Sequence, residues 1–176
     1  EKIKKNLPEL PDQKKDRFIK NYSLTPYEAN VLVSEKEVAA FFEEVIKTAD
    51  KKLSINWIIG DLFASLNEKN ITIVDSPIKA KEMASLINSI SSGLISGRAA
   101  KEVFEVMKDT GGDPIKIIEK KGLKQKSDPK ELEVLIDIIL KENEDKVSQY
   151  KLGKDKLFGF FVGQVMKVSS GTANPQ

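Results

Sequence analysis

The chain has 176 residues and contains neither cysteine nor histidine. Disulfide scaffolds, Cys/His zinc sites and nucleophile systems that depend on cysteine or histidine are therefore excluded within this sequence. Aspartate, glutamate, lysine and tyrosine remain as the chemically active side chains. A charged fraction of 32% beside 40% hydrophobic residues is typical of a globular chain that buries a core.

The prolines indicate a helical chain. Pro8 and Pro11 lie in a Leu7–Pro11 segment that we expect to be extended, since a residue preceding proline avoids the helical region. The other five each follow a residue that caps helix N-termini, where proline loses only an N–H that has no helical partner. Five helix starts are therefore predicted, at Thr25-Pro26, Ser76-Pro77, Asp113-Pro114, Asp128-Pro129 and Asn174-Pro175.

Apolar residues recur at helical spacing through the first part of the chain. Ser34 and Glu37 have the spacing of a capping box, which predicts that a helix starts behind Ser34. Only Ile71–Val74 has strand character, and one strand does not make a sheet. Helices are predicted over 12–22 and 26–32, and around the apolar sets within 38–46, 53–66, 78–90 and 99–107. The 53–66 helix is apolar around much of its circumference, so we expect it at the centre of a bundle.

The composition changes near residue 113. A short helix fits Asp113–Gly122, the polar stretch Leu123–Asp128 predicts a linker, and further helices are expected from Pro129, over about 145–150 and over about 154–167. The predicted fold class is all-α, a multi-helix bundle followed by a small orthogonal helical tail domain. We expect the bundle over residues 1–112, the short helix and linker over 113–126, and the tail over 127–176.

The two ends of the sequence suggest a piece of a longer polypeptide. The chain starts at Glu1 without an initiator methionine, and Asn174-Pro175 has the form of a helix start. No targeting segment is visible, and no apolar run approaches the roughly 20 residues of a membrane-spanning helix. We expect a fragment of a soluble, cytoplasmic protein with no membrane contact.

Charge is unevenly distributed although the net charge is only +2. The first twenty residues carry a net +3 and the residues from Lys146 onward a net +4, so the middle is acidic. Basic ends of this kind suit contacts with phosphate. A solvated lysine-rich surface is the alternative interpretation.

Two further features have an ordinary and a functional interpretation. Gly159 and Gly163 lie four residues apart in a predicted helix, where each costs about 1 kcal/mol relative to alanine. They indicate close approach of another backbone, either a packed helix of the chain or a partner. Arg98 and Lys101 place cations at a helix start, which suggests a bound phosphate. Ion pairs with Glu102 or Glu105 are the alternative.

No catalytic or metal-binding pattern is present. The acidic residues Glu43, Glu44, Glu142, Glu144 and Asp145 lie on polar helix faces, where solvated carboxylates are expected. The sequence has no phosphate-binding glycine loop and no calcium-loop spacing. We therefore expect no catalytic residue, no metal site and no cofactor site within this chain.

Five ordered motifs carry a resemblance to a known family. They are Leu7–Pro11, Asn56–Gly60, Ile95–Val103, Lys121–Gln125 and Gly159–Lys167, followed by Ala173-Asn174-Pro175. Together they closely resemble the C-terminal part of the B subunits of aspartyl/glutamyl-tRNA amidotransferases, with a helical domain and a YqeY-like tail. The resemblance covers essentially the whole chain.

The resemblance implies an ATP-dependent ligase as the parent protein. Such an enzyme converts Glu-tRNA(Gln) or Asp-tRNA(Asn) to the amidated species. Its A subunit releases the ammonia from glutamine, and a C subunit completes the assembly. ATP and magnesium would act in an N-terminal domain outside this chain. The chain itself would bind tRNA(Gln) or tRNA(Asn) without catalysing the reaction.

The resemblance also implies which residues face RNA. On the tail these are Lys154, Lys156, Gln164, Lys167, Ser169, Ser170 and Gly171, with Gly159 and Gly163 permitting close packing beneath them. Arg98 and Lys101 would be secondary phosphate contacts on the helical domain. The family usually has lysine where this chain has Thr172, so a cation is missing from that turn.

Two other classes of function are considered. A helical protein–protein adaptor without RNA contact would use Gly159 and Gly163 to accept a partner helix. Burial of the glycines in the tail would weaken that hypothesis, and an exposed glycine face beside apolar surface would favour it. A small independent enzyme is the third class, but no acid/base pair or phosphate loop can be assembled for it.

Overall fold

The structure, a computed structural model, describes residues 9–125 and 129–173. These residues form helices joined by turns, with no β-strand among them, so the all-α prediction is confirmed. The helices are α1 Pro11–Tyr22, α2 Pro26–Val33, α3 Lys36–Val45, α4 Lys51–Asn56, a π-helical segment Trp57–Leu62, α5 Phe63–Lys69, α6 Ala80–Ser91, α7 Gly97–Thr110, α8 Pro114–Lys121, α9 Pro129–Glu142, α10 Glu144–Lys151 and α11 Leu157–Val168. No helix in the described ranges is long and apolar enough to cross a membrane.

Close contacts divide the chain into two units. The first contains the residues up to Asn88 together with Val106–Asp113, and the second contains Ser89–Glu105 together with the residues from Pro114 onward. The division falls inside α6 and α7. The orthogonal arrangement of the tail and the boundaries at 112 and 126 stay predictions.

Helix starts follow the predicted caps at some prolines and not at others. Thr25 accepts a hydrogen bond from the Glu28 backbone N–H at 3.2 Å and the Glu28 carboxylate accepts one from the Thr25 N–H at 2.7 Å, which is a complete capping box. The capping box predicted at Ser34 is wrong, because the Ser34 hydroxyl donates to the Val31 carbonyl and α3 starts at Lys36. The predicted starts behind Asp128 and Asn174 involve residues outside the described ranges.

The start predicted at Ser76-Pro77 is also wrong. The Ser76 hydroxyl accepts a hydrogen bond from the Ile78 N–H at 3.1 Å, which shapes a turn, and α6 begins only at Ala80. The Glu82 carboxylate then accepts a hydrogen bond from the Lys79 N–H at 2.9 Å. Proline after serine is therefore compatible with a turn as well as with a helix start.

The first unit contains a continuous helical stretch from α4 through the π-helical segment to α5. Trp57, Ile58 and Leu62 in the π-helical segment are buried. α2 contacts this segment and also packs against α1 and α3. The central position expected for the 53–66 helix stays a prediction. Ile71–Val74, the stretch with strand character, forms a turn instead.

An ion-pair cluster joins α1 to α3. Arg17 contacts the Glu9 carboxylate at 2.6 Å and the Glu43 carboxylate at 2.7 Å, while Lys14 lies 3.5 Å from Glu43. The hydrogen bond from Arg17, opposed in part by burial, lowers the pKa of Glu9 below its ordinary value. Two of the N-terminal cations are therefore paired with carboxylates inside the protein. This part of the basic N-terminal end does not present free charge for phosphate.

The tail helices pack on one another with little buried surface. α9 contacts α10 and α11, and α10 contacts α11. Ile139 is buried in α9, whereas α10 and α11 contain no buried residue. The last helix starts at Leu157, three residues later than the sequence predicts, because the Lys154–Lys156 stretch forms a turn.

Candidate nucleic-acid interface

The C-terminal end of α11 sets the backbone of the predicted RNA-facing turn. The Gly171 N–H donates to the Met166 carbonyl at 2.7 Å and the Ser170 N–H donates to the Lys167 carbonyl at 3.1 Å. These two bonds are those of a Schellman motif, with Ser170 in the left-handed region at φ 53°. The turn therefore has a fixed conformation, with the Ser170 side chain exposed.

The hydroxyl groups of this turn are largely used within the protein. Ser169 Oγ accepts a hydrogen bond from the Ala173 N–H at 3.2 Å and donates to the Met166 carbonyl at the same distance. Thr172 Oγ1 donates to the Ser169 carbonyl at 2.6 Å. At the position where the resemblance leads one to expect a lysine, Thr172 thus closes the turn instead of supplying charge.

The tail lysines predicted to face RNA are all exposed. Lys154 lies in the turn before α11 and its Nζ contacts Gln149 Oε1 at 2.8 Å. Lys156 directly precedes α11 and Lys167 lies in its last turn, while Gln164 is half-buried. Helical spacing puts Lys156 and Lys167 on the same face of α11, eleven residues apart. The phosphates of one RNA strand can therefore contact both lysines from the same side of the helix.

The two glycines lie on that same face of α11, between the two lysines. Both are exposed, and a Cβ built at Gly159 or Gly163 would meet no heavy atom within 4 Å among the residues that the structure describes. The packing predicted beneath the RNA-facing surface is therefore not found inside this part of the chain. Close approach of a partner to the glycines stays a prediction.

Arg98 lies next to the C-terminal turn. It is exposed in the first turn of α7, and its Cδ and Nη1 are each 3.8 Å from the position that a Cβ of Gly171 would occupy. Ser96 caps the helix, since its Oγ accepts a hydrogen bond from the Ala99 N–H at 3.1 Å. Within the described residues Arg98 has no carboxylate within ion-pair distance. The ion pair considered for Arg98 is therefore not formed there.

Lys101, the second cation predicted at this helix start, is exposed as well. It takes part in an interaction inside the protein, so its charge is not freely available. Its assignment as a phosphate contact is weaker than that of Arg98.

Gln125 connects the segments that carry these residues. Its backbone N–H donates to the Leu94 carbonyl at 2.7 Å, and its Nε2 donates to the Ala173 carbonyl at 3.4 Å. Leu94 leads into α7 and Arg98, and Ala173 follows Gly171. Three segments that are distant in the sequence therefore meet at one place within the second unit. The sequence pattern assigned Gln125 to a linker and gave no signal of this role.

Two grooves open on the tail. One, of about 700 Å³, runs between α9 and the 168–172 turn, and Ser169, Ser170, Thr172 and apolar α9 side chains line it. The other, of about 580 Å³, lies among α9, α10 and α11 and is almost wholly apolar. Phe158 at this second groove is 61% exposed. The first groove can hold a polar group beside an apolar one, and the second suits an apolar partner.

The described residues hold no group of three or more carboxylates placed to bind a metal ion. Lysines, hydroxyls and amides are the polar groups gathered here. Groups of these kinds contact phosphate and sugar in protein–nucleic acid complexes.

Comparison with known proteins places the chain in a family. The sequence model of the GatB domain matches residues 40–176, and the chain belongs to this family. The B subunit of the aspartyl/glutamyl-tRNA(Asn/Gln) amidotransferase of Pelagibacter ubique is 57% identical over all of this chain. The proteins of the same name from Nitrosococcus oceani and Ehrlichia ruminantium are 49% and 48% identical, over 100% and 99% of the chain. The resemblance expected from the motifs is thereby confirmed.

The chain is much shorter than these relatives. It spans 37% of the length of the Pelagibacter and Nitrosococcus proteins and 36% of the Ehrlichia protein.

Proposed function

We propose that this chain is the tRNA-binding C-terminal part of the B subunit of a glutamine-dependent amidotransferase. The observation that carries the proposal is the meeting of the segments that hold Arg98, Gln125 and Gly171, with the exposed Lys167 at the end of α11 four residues before Gly171. The relatives' names refer to a tRNA-dependent reaction, and this surface offers exposed cations to a polyanion.

The whole enzyme acts in translation. In this proposal it converts Glu-tRNA(Gln) or Asp-tRNA(Asn) to Gln-tRNA(Gln) or Asn-tRNA(Asn) in the cytoplasm, with the A and C subunits as partners. ATP and magnesium supply activation of the carboxylate in a part of the protein outside this chain. The residues here hold the tRNA body while that reaction proceeds elsewhere.

The geometry suits recognition of RNA by its shape and backbone. Lys156 and Lys167 lie at the two ends of one helix face, and the glycines between them leave that face flat. Lysines contact phosphates, and the exposed Ser170 hydroxyl is able to reach a ribose 2′-hydroxyl. Contacts of this kind select a folded RNA more than a base sequence.

The test is tRNA binding by the full 176-residue chain as a function of salt. We expect the logarithm of the binding constant to fall linearly with the logarithm of the salt concentration. Changing Lys154, Lys156 and Lys167 together to alanine should flatten that slope by roughly 2 units, at about 0.7–0.9 for each phosphate that is no longer neutralised. An unchanged slope and affinity would show that the tail does not bind RNA through these three lysines.

A protein–protein adaptor is the second candidate, because the glycines of α11 are exposed and an apolar groove opens on the same three-helix tail. In this case the occupant is a helix of a partner protein, packed against Gly159 and Gly163. Replacement of both glycines by alanine would then abolish binding of the partner. The chain would bind tRNA no better than a control protein of equal net charge.

A further inference from the structure

We propose that α8 and the turn behind it form a second RNA-backbone surface, which acts together with the C-terminal turn. This proposal rests on the proposed function, since it assigns further contacts to the same ligand. The new contact residues are Lys116, Lys120, Lys121 and Lys124. None of them was among the residues predicted from the sequence.

The charge of α8 is strongly positive and poorly compensated. All four lysines are exposed, and Glu119 is the one acidic residue between Pro114 and Gln125. Glu119 contacts Lys124 at 3.2 Å. Within the described residues the other three lysines have no carboxylate within ion-pair distance.

The position of Lys116 argues for an external anion. Lys120 and Lys121 lie in the last turn of α8, where the helix dipole favours cations. Lys116 lies in the first turn, which contains no acidic residue and where the dipole disfavours a cation. Arg98 has the same unfavourable position at the start of α7. Neither charge is matched to the dipole of its own helix, whereas a bound phosphate backbone would match both.

Hydrogen bonds hold this surface beside the first one. The N–H groups of Gly122 and Leu123 donate to carbonyls of the last turn of α8 and reverse the chain. Lys124 then directly precedes Gln125, whose hydrogen bonds reach Leu94 and Ala173. The α8 lysines and the Arg98–Gly171 contact belong to the same unit, as a single RNA that touched both would require.

The surface suits RNA better than a protein partner. Every large hydrophobic side chain that the structure exposes lies outside residues 89–125. Protein interfaces depend on buried aromatic or apolar anchors at their centre. A surface of lysines without such anchors suits a phosphate backbone, which needs charge and little apolar contact.

The experiment compares two triple variants of the full chain. The test variant carries Lys116→Gln, Lys120→Gln and Lys121→Gln, and the control carries the same change at Lys20, Lys36 and Lys52, which are exposed in the first unit. Binding of an unacylated tRNA(Gln) transcript is measured at several salt concentrations. We expect the test variant to flatten the salt dependence by roughly 2 units and the control to leave it unchanged. Circular dichroism checks that both variants are folded.

Lysine acylation followed by mass spectrometry gives an independent measurement on the unmodified chain. We expect tRNA to protect Lys116, Lys120 and Lys121 from acylation, and Lys36 and Lys52 to react as in the free protein. Equal protection by poly-glutamate at the same concentration of charges would assign the surface to an acidic protein instead.

The outcomes separate this inference from the proposed function. If the α8 variant binds like the unmodified chain while the triple change at Lys154, Lys156 and Lys167 still flattens the salt dependence, the proposal of an α8 surface is wrong and the proposal of tRNA binding stands. If the α8 variant and the control variant flatten the salt dependence equally, the effect comes from net charge. The proposal of an α8 surface is then wrong. If the unmodified chain shows no salt-dependent binding, both proposals fail.

Discussion

Replacement of Gly159 and Gly163 by alanine should make α11 more stable. Both residues are in a helix, neither has a positive φ, and a Cβ at either would meet no heavy atom within 4 Å among the described residues. Alanine is favoured over glycine by about 0.8–1.0 kcal/mol in a helix interior. The gain is smaller at Gly159, which is in the first turn, so we expect about 1.5 kcal/mol for the double variant.

The assay must report on α11 itself. Trp57, the one tryptophan of the sequence, belongs to the other unit, so its fluorescence does not follow the tail. Hydrogen exchange read by mass spectrometry on peptides from α11 measures local opening directly. A change of about 1.5 kcal/mol corresponds to roughly tenfold slower exchange.

Gly153→Ala is the matched control. A Cβ at Gly153 also meets nothing within 4 Å, but the residue has a φ of +96°, which strains any side chain. The same added methyl should therefore destabilise the tail by about 1 kcal/mol or more. Faster exchange of α11 in the double variant would refute the reasoning, because it would mean that some part of the protein does pack on the glycine face.

Two further predictions concern the first unit and use Trp57 fluorescence. Gly111→Ala should lower the free energy of unfolding, measured in urea, by about 2–4 kcal/mol. The added Cβ would lie 2.7 Å from the Pro77 carbonyl oxygen, and the residue has a φ of +65°. A loss below about 1 kcal/mol would contradict this prediction. Glu9 has a pKa below its ordinary value of 4.5 through its hydrogen bond from Arg17, so its contribution to stability is complete above about pH 4.5 and is lost as the pH falls through the lowered value. Glu9→Gln should flatten the loss of stability in acid, and an unchanged acid transition would show that this carboxylate does not contribute.

Local sequence patterns predicted most of the helices. Apolar spacing located the helices, and proline after a capping residue placed the starts of α2 and α8. These signals work because the spacing of apolar residues shows which face a helix buries, and the groups that cap a helix start lie within a few residues of it. The same local logic failed at Ser34 and Ser76, whose hydroxyls bond to nearby backbone groups in turns. A hydroxyl has several backbone partners within reach, and the surrounding fold decides among them.

The candidate site was predicted residue by residue but not as an assembly. The motifs identified Arg98 and Gly171 separately, one as a secondary contact on the helical domain and one on the tail. Their contact, and the hydrogen bond that joins Gln125 to Ala173 across 48 residues of sequence, could not be deduced from spacing. The uneven charge along the sequence pointed to the two ends of the chain and did not single out the lysines of α8.

The sequence by itself determined that the chain is all-α, lacks the side chains for cysteine or histidine chemistry, and carries the motifs of its family. Periodicity and capping residues act over a few neighbouring residues, and composition describes the whole chain. All three are therefore evident from the sequence alone. Only the tertiary structure decided that Arg17 is paired inside the protein, that none of the described residues packs on the glycines of α11, and that Gln125 joins the segment before α7 to the C-terminal turn. These facts depend on which distant segments pack together, and that packing is set by the whole core rather than by neighbours along the chain.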